Sequence, residues 1–398
     1  MSTLHLTRAQ VLRHRARVQE LDRAAGTRDV TDPAVLDLGV QDSGTGGALW
    51  ALANRGARVA ADGWPDDLAL VWTVRGSPQA YRRDDLPHVE SALRPYSPAD
   101  AAKRILNANA PLAAAGIPAD EALVTVAGHL RELVTGPTVK GEASGRLSAA
   151  VGEPYLKRCV PCGATHVYEL PFRLAALHAG LEIEPDTSPP VLRRIPSWPA
   201  GHLGSIAHDR AYPPRLDPVR GYLHALGPAR PADVASYLDA SPADVRRRWP
   251  ADVVEVSVDG QRRWALAADE AALVAAASEP DGRGASGGGG APRGDGDHAP
   301  VVRLLGPFDP FVQARDHATI VPDAAARKAL WPAIGRPGAV LVDGEIVGTW
   351  RPRAAGTVLR LRVDRWVPWT RDVEGLVGEQ AERLAAHRGA TLAGLGTG

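Results

Sequence analysis

Amphipathic and apolar runs alternate through the first hundred residues and predict helices followed by a two-stranded ribbon. Thr7 precedes the run RAQVLRHRARVQELDR, whose apolar residues recur at helical spacing, so a helix with Thr7 as its N-cap is predicted. DPAVLDLGV is a short second segment, and GALWALANRGA predicts a helix that ends at Gly56. LALVWTVRGSPQAYRRDDL predicts two strands around Gly76 and Pro78. This order of elements is typical of a winged helix.

The same order recurs twice further along the chain. Residues 129–151 predict a helix-turn-helix, and the ribbon-like segment CVPCGATHVYEL follows. Residues 219–249 predict three helices, the third beginning at Ser241 and Pro242. Residues 253–266 alternate with a period of two around Asp259 and Gly260, which is a strong hairpin signal. We therefore predict about three winged-helix domains.

The last part of the chain has a different pattern. Residues 276–300 are rich in glycine and have the composition of a disordered linker. Beyond them, apolar runs predict strands, with a hairpin at Asp343 and Gly344, and a final helix that closes the chain at Gly389. The predicted fold is α+β: tandem winged helices with a β-rich C-terminal unit. The expected domains are 1–100, 101–200 and 201–275 for the winged helices, 276–300 for the linker and 301–398 for the C-terminal unit.

Charge and cysteine content narrow the class of protein. The chain has 46 basic and 46 acidic residues, which argues against a generic nucleic-acid binder but allows local basic patches. Two cysteines imply no disulfide framework and favour a reducing compartment. No apolar run has the length of a membrane span, and the N-terminus has no apolar signal region. We expect a soluble cytoplasmic protein, and the abundance of arginine over lysine suggests a GC-rich bacterial genome.

One cysteine pair invites a metal or redox interpretation. Cys159 and Cys162 are followed by His166, but a structural zinc site needs a fourth ligand and usually a second pair. The flanks are those of a ribbon rather than of a strand followed by a redox-active helix. We therefore predict no metal site here and interpret the cysteines as turn or core residues.

Short basic clusters are the candidate contacts to a phosphate backbone. Winged helices also serve as protein-interaction modules and scaffolds, and short basic clusters are often solvated surface. A DNA-reading role requires exposed cations near the second helix or on the ribbon. The clusters are Arg75, Arg82 and Arg83 in the first predicted winged helix, Lys140, Arg146, Lys157 and Arg158 in the second, and Arg246, Arg247 and Arg248 in the third.

Two polar residues precede the helix predicted at 47–55. Asp42 or Ser43 can cap this helix, and the glycines after them can supply the turn. Such a cap is a complete explanation for an aspartate at position 42. That explanation does not require Gln41, which therefore becomes the candidate for chemistry.

Several of these segments resemble a known family. LTRAQVLRHRARVQ, LGVQD before ALWALANRG, WTVRGSPQAYRRDDLP, CVPCGATHVYELPFRLAALHAGLEI, YLHALGPARPADVASYL and LLGPFDPFVQARD followed by VLVDGEIVGTWRPR are similar, in this order, to the AlkZ/YcaQ-like alkylpurine DNA glycosylases. The resemblance implies tandem winged helices that form a concave DNA-binding surface. It also implies excision of N7-alkylated purines without a metal or other cofactor, and in some members the unhooking of crosslinks.

The family's catalytic motif is a glutamine, an apolar residue, and then glutamine or aspartate. On this chain it falls on Gly39, Val40 and Gln41, so the second polar residue is present and the first is replaced. The resemblance makes Gln41 the catalytic candidate, with Asp42 beside it. Many members have a histidine after the Arg-Gly turn of the ribbon. This chain has Gln79 there, and Gln79 and Tyr81 join the DNA-contact candidates.

Three functions remain open from the sequence. The first is a monofunctional glycosylase in which Gln41 holds the attacking water, since a cationic N7-alkylated purine is a good leaving group. The second is a non-enzymatic DNA-binding protein or regulator on the same scaffold. The third is an interaction scaffold without nucleic acid. For the first two, the expected partner is double-stranded, alkylated DNA, bound by a monomer without a membrane.

Overall fold

The computed structural model describes residues 3–43, 46–60, 63–161, 163–202, 211–279 and 300–397. Its strands are β1 (Leu4–Leu6), β2 (Val40–Gln41), β3 (Leu68–Trp72), β4 (Pro78–Arg82), β5 (Thr138–Val139), β6 (Leu156–Cys159), β7 (Ala164–Val167), β8 (Leu181–Glu184), β9 (Val191–Arg194), β10 (Val253–Val258), β11 (Gln261–Leu266), β12 (Val302–Leu305), β13 (Gly338–Val342), β14 (Glu345–Ala355), β15 (Val358–Arg365) and β16 (Thr391–Thr397). Its helices are α1 (Arg8–Val18), α2 (Gly47–Ala53), α3 (Leu86–Leu93), α4 (Pro98–Arg104), α5 (Asn109–Ala114), α6 (Ala119–Leu133), α7 (Lys140–Ala150), α8 (Glu169–His178), α9 (Pro218–Leu226), α10 (Pro231–Leu238), α11 (Pro242–Arg247), α12 (Glu270–Ser278), α13 (His317–Ile320), α14 (Ala324–Leu330) and α15 (Arg371–His387). The predicted mixture of helices and sheets is confirmed.

The chain forms two compact units. The first unit contains Met1–Pro65, Arg220–Asp233 and Pro250–Gly398, and the second contains Asp66–Val219 and Val234–Trp249. The predicted division into three winged helices and a C-terminal unit is not tested by these units and stays a prediction. Most of the predicted linker, residues 280–299, lies outside the described residues.

The start of the first unit follows the sequence closely. The Thr7 hydroxyl accepts a hydrogen bond from the Gln10 backbone N–H, and the Gln10 side chain accepts one from the Thr7 N–H at 2.8 Å. This reciprocal capping box confirms the predicted N-cap and begins α1 at Arg8. Val11 is fully buried and packs in one core cluster with Val256 of β10, so the face with helical spacing is also the packed face.

Both predicted Asp-Gly hairpins are present in the first unit. β10 and β11 pair antiparallel on either side of Asp259 and Gly260, and β13 and β14 on either side of Asp343 and Gly344. All four turn residues have positive φ, between 46° and 88°. Two-residue turns of this kind need a left-handed backbone at both central positions, which explains why Asp-Gly marks them in the sequence.

The C-terminal sheet has the order β12-β13-β14-β15-β16, and α15 packs against it. Trp350 and Val377 lie in its buried core. The predicted helix before Gly389 is confirmed as α15, but it is not the last element, because β16 follows and pairs parallel with β15. Its sequence, TLAGLGT, contains two glycines and has little strand propensity, so its pairing depends on the neighbouring strand rather than on its own residues.

The second unit contains the sheet order β4-β3-β8-β9-β5 and the separate ribbon β6-β7. The ribbon predicted around Gly76 is confirmed, with Leu70 opposite Ala80. The predicted helix-turn-helix is α6 and α7. The segment CVPCGATHVYEL begins at the last residue of β6 and contains β7, which pairs antiparallel with β6. The short strands β8 and β9 complete the sheet, and no sequence pattern predicted them.

No single helix among the described residues is long and apolar enough to cross a membrane. One pair of segments, Leu106–Ala114 and Ala119–Leu133, meets that criterion together by length and composition alone, and it is bent by 101°.

A buried charge cluster lies in the second unit. Glu90 is 4% exposed and accepts hydrogen bonds from Arg94 at 2.6 Å and from the ring nitrogens of His178 and His202 at 2.7 Å each. Burial acts to raise the pKa of Glu90, but the hydrogen bonds from His178, His202 and Arg94 outweigh it and lower that pKa to about 2. The cluster therefore depends on an ionised Glu90.

We expect Glu90→Gln to lower the free energy of unfolding at neutral pH by about 3 kcal/mol, the equivalent of the lowered pKa. Because the pKa is lower in the folded state, this stabilisation is present above the ordinary value of 4.5 and is lost as the pH falls toward 2. Urea unfolding at neutral pH and at about pH 3 measures both effects, since the difference between the two proteins should fall by about half in acid. The control is Glu142→Gln, whose exposed pair with Arg146 should contribute less than about 1 kcal/mol. An equal loss in both variants would contradict the prediction.

Candidate active site and predicted DNA contacts

Gln41 is the last residue of β2 and is half-buried. Val40 before it is fully buried, which anchors the strand. Gly39 has a φ of +87°, a backbone conformation that residues other than glycine rarely adopt. The glycine at the first motif position therefore fits the backbone conformation found there, whereas a glutamine in that conformation would be strained.

The side chain of Gln41 is paired with a second amide. Its Oε1 accepts a hydrogen bond from Nε2 of Gln313 at 2.9 Å, and that Nε2 also lies 3.5 Å from the carbonyl oxygen of Phe308. A carbonyl oxygen can only accept a hydrogen bond, so the end of the Gln313 amide that faces Phe308 and Gln41 Oε1 is the amine group. Among the described residues, the amine group of Gln41 has no partner, so it is available to a bound molecule.

Asp42 has a structural partner. Its Oδ1 accepts a hydrogen bond from the backbone N–H of Ala48 at 2.8 Å, in the first turn of α2. This bond is what the capping interpretation predicts, because the first helical N–H groups have no partner within the helix. Asp42 is half-buried beside Gln41, and the carboxylate also favours the positive end of the helix dipole.

A buried ion pair holds the segment that contains Gln313. Asp309 and Arg55 are both fully enclosed as side chains, and two hydrogen bonds of 2.8 and 2.9 Å join them. Asp309 also caps the short 3-10 helix Pro310–Gln313 through the N–H of Phe311. Arg55 donates further to the side-chain oxygen of Gln19 at 2.9 Å. The ion pair thus fixes the Gln313 helix beside the residues that end α2.

A histidine lies at the other end of α2. His387 hydrogen-bonds the backbone of Gly46, and its ring centroid is 5.3 Å from that of Trp50. Burial lowers the pKa of His387, with a smaller effect from neighbouring arginines, so the ring is neutral at pH 7. Gln41, Gln313 and His387 are therefore uncharged polar groups, with the carboxyl group of Asp42 beside them.

The predicted DNA-contact residues lie in the second unit, and several cations there have acidic partners. Arg83 is 2.8 Å from Glu182, and Lys140 is 2.8 Å from Glu169. Arg146 makes a longer pair of 3.5 Å with Glu142. Such pairs reduce the local positive charge, although each of these cations is at least partly exposed.

The other predicted contacts on the first ribbon are less accessible. Gln79 and Tyr81 are 3% and 1% exposed, so both belong to the core of the unit. Arg75 lies over the ring of Tyr237, with 5.7 Å between guanidinium and centroid, and Arg82 lies 3.7 Å from Asp85.

The second ribbon and the third cluster have more exposed cations. Arg158 is exposed on β6, and Lys157 lies 6.0 Å from the ring of Tyr168. Arg246 and Arg247 are exposed at the end of α11, and Arg248 lies over the ring of Tyr96. The assignment of all these side chains to DNA contact stays a prediction.

Cys159 lies at the end of β6, whereas Cys162 is outside the described residues. A hydrogen bond to the Val167 backbone and a second one to Cys159 raise the pKa of His166. Within the described residues, no group of three or more His, Cys, Asp or Glu side chains is arranged to hold a metal ion.

Sequence reasoning missed Gln313, Asp309 and His387. The Asp-Pro pair in PFDPFVQ is a sequence signal for the start of a helix, and the 3-10 helix does begin at Pro310. Nothing in the sequence relates Gln313 to Gln41, since 272 positions separate them.

Comparisons with known proteins identify the family of the chain. The model of the family "DNA glycosylase AlkZ-like" matches residues 35–387. The structure is similar to that of the DNA glycosylase AlkZ from Streptomyces sahachiroi, with a TM-score of 0.68 over 99% of this chain and 100% of that chain, at 19% sequence identity. A search of curated protein sequences finds no significant match. The family match covers most of the chain, from before Gln41 to His387, and the chain therefore belongs to the AlkZ-like DNA glycosylase family.

Proposed function

We propose that this protein is a monofunctional DNA glycosylase that releases N7-alkylated purines from double-stranded DNA. The observation that supports this most directly is the amide pair of Gln41 and Gln313. Gln41 is half-buried, with one end held by Gln313 and the other end available, which is the arrangement expected of a group that orients a small molecule. The family membership of the chain supports the same reaction class.

The proposed reaction is hydrolysis of the bond between the sugar C1′ and the purine N9. The bonding electron pair leaves with the base, whose N7 alkyl group has already made it cationic, so the base departs neutral. Water adds its oxygen to C1′ and loses a proton to solvent. The transition state has positive charge on the sugar, so the protein needs to hold the water and favour that charge. Gln41 would hold the water, and the Asp42 carboxylate would stabilise the positive sugar.

Gln313 would supply an amide next to Gln41, since the motif lacks one at position 39. A second glutamine in the motif would come from the same strand, whereas Gln313 comes from the segment after β12. Its bond to Oε1 restricts rotation of the Gln41 amide, so the free amine group points in one direction. We therefore assign Gln313 as a positioning residue rather than one that contacts the substrate.

DNA binding would use winged-helix modules. Helices α6 and α7 with the ribbon β6-β7, and helices α9, α10 and α11 with the ribbon β10-β11, have the expected order of elements. The exposed cations Arg158, Arg246 and Arg247 are candidates for phosphate contacts. About three such modules, a concave DNA-binding surface, a monomeric state and a bacterial cytoplasmic location remain predictions.

The deciding experiment measures base release from a duplex with a single N7-methylguanine. We expect the protein to release the base well above the spontaneous rate of the same duplex without protein, and to leave an unmodified duplex intact. Release no faster than the spontaneous rate, at protein concentrations that saturate the duplex, would refute the proposed activity.

One observation favours a second function, that of a non-enzymatic DNA-binding protein. Position 39 is glycine with positive φ, so the motif lacks its first amide. If Gln313 does not compensate, binding would persist without excision. Tight, salt-dependent binding of the duplex without base release would support this function, because phosphate contacts are sensitive to salt.

A further inference from the structure

We propose that a basic groove in the first unit binds the phosphate backbone of a DNA strand. The groove encloses about 510 Å³. Its cationic side chains, together called the arginine groove here, are Arg230, Arg263, Arg315, Arg327 and Lys328. Gln41, Asp42 and Gln313 are not among its lining residues. The inference rests on the proposed function for the identity of the polyanion, and it adds a binding site that is separate from the catalytic candidates.

The charge of the groove is not balanced from within. The one carboxylate among its lining residues is Asp316, and that group is buried and held by Arg15 at 2.7 and 3.0 Å. Asp233 pairs with both Arg230 and Arg263, so one carboxylate serves two guanidinium groups there. A chain with no net charge thus places five cationic side chains around one concave surface. Concave basic surfaces concentrate the field that attracts a polyanion.

Two cations in the groove have unused donors. Nε of Arg315 is buried and has no hydrogen-bond partner within the described part of the chain. Lys328 is exposed in the last turn of α14, and no carboxylate within the described residues pairs with it. Guanidinium and ammonium groups in this arrangement suit phosphate oxygens.

A flat aromatic wall lines the same groove. The rings of His317 and Trp331 stack with centroids 3.9 Å apart and planes 5° apart. The indole N–H of Trp331 donates to the carbonyl oxygen of Val312 at 3.2 Å, which fixes the ring. Burial and the nearby Arg336 lower the pKa of His317, so the stacked pair is uncharged at pH 7. Basic side chains beside aromatic rings are typical of surfaces that follow a nucleic-acid strand, and they favour DNA over an acidic peptide.

The test measures the affinity for an unmodified duplex by fluorescence anisotropy over a range of NaCl concentrations. In the double variant Arg315→Gln/Lys328→Gln we expect the slope of log K against log salt to become shallower by about 2, since each phosphate contact contributes about 0.9. The affinity near 0.1 M salt should fall by about tenfold or more. The control is Arg23→Gln/Arg371→Gln, which removes the same charge from exposed side chains of the same unit that do not line the groove.

Three results would overturn the inference. The first is a groove variant with the slope of the native protein, at an unchanged thermal midpoint. The second is an equal change of slope in the control, which would show a general effect of charge. The third is displacement of the duplex by polyglutamate as effectively, charge for charge, as by unlabelled duplex. Because the duplex has no lesion, these results are independent of base release. Native binding without excision would refute the proposed activity and leave the groove in place.

Discussion

Gln41→Ala is expected to reduce the single-turnover rate of base release from N7-methylguanine DNA by about 10²–10³-fold, the usual loss when one placed polar group is removed from a transition state. The variant loses the one group at the site whose donors are unpaired among the described residues. Folding should change little, because a half-buried glutamine with one neutral hydrogen bond contributes about 1 kcal/mol. The measurement is the rate at saturating enzyme, together with the thermal midpoint of each protein.

Gln313→Ala provides the matched comparison. If Gln313 acts only by orienting Gln41, its removal should slow base release, and the double variant should be no slower than Gln41→Ala alone. Multiplicative losses in the double variant would assign Gln313 an independent contact with the substrate instead. A Gln41→Ala protein that releases the base within about threefold of the native rate would rule out Gln41 as the essential group, since such a factor corresponds to less than 1 kcal/mol.

Local patterns predicted local structure well. Thr7 precedes an amphipathic run and was predicted as its N-cap, and the structure forms that cap. The Asp-Gly pairs at 259–260 and 343–344 allow a left-handed turn at low cost, and both hairpins form there. In each case the residues that interact are close in sequence, so these contacts can be predicted without knowledge of the tertiary structure.

The candidate site could be predicted only in part, for the same physical reason. Gln41 was recognisable because Asp42 and the glycines explained the helix start and left Gln41 without a structural role. Gln313 had no such signal, because its role depends on a contact across 272 positions. The burial of Gln79 and Tyr81 could not be predicted from the sequence either, since the alternation of residues along β4 does not show that the sheet is covered on both faces.

β16 shows the same limit in the fold. The segment after Gly389 has neither an apolar alternation nor a turn signal that would predict a strand. It pairs with β15 because the edge of that strand offers unpaired backbone groups. Secondary structure that arises from a neighbour's edge is not encoded in the segment itself.

Asp309→Asn is expected to lower the free energy of unfolding by about 3–5 kcal/mol, because it leaves the charge of Arg55 buried without its partner. The pair is fully enclosed on both sides, and the carboxylate accepts two of the arginine's hydrogen bonds. Asparagine keeps one oxygen for the N–H of Phe311, so the loss reports mainly on the charge rather than on the cap. Chemical denaturation followed by circular dichroism measures the change.

The matched control is Asp252→Asn in the same unit. Asp252 also binds an arginine with two hydrogen bonds, to Arg220 at 2.6 and 2.8 Å, but its side chain is 52% exposed. Solvent screens that pair, so the control should lose less than about 1 kcal/mol. The double variant Arg55→Met/Asp309→Asn should recover part of the loss, since no unpaired charge remains buried. Equal losses at positions 309 and 252 would contradict the prediction. They would show that the enclosed pair contributes no more than a surface pair, and that other contacts hold Gln313 in place.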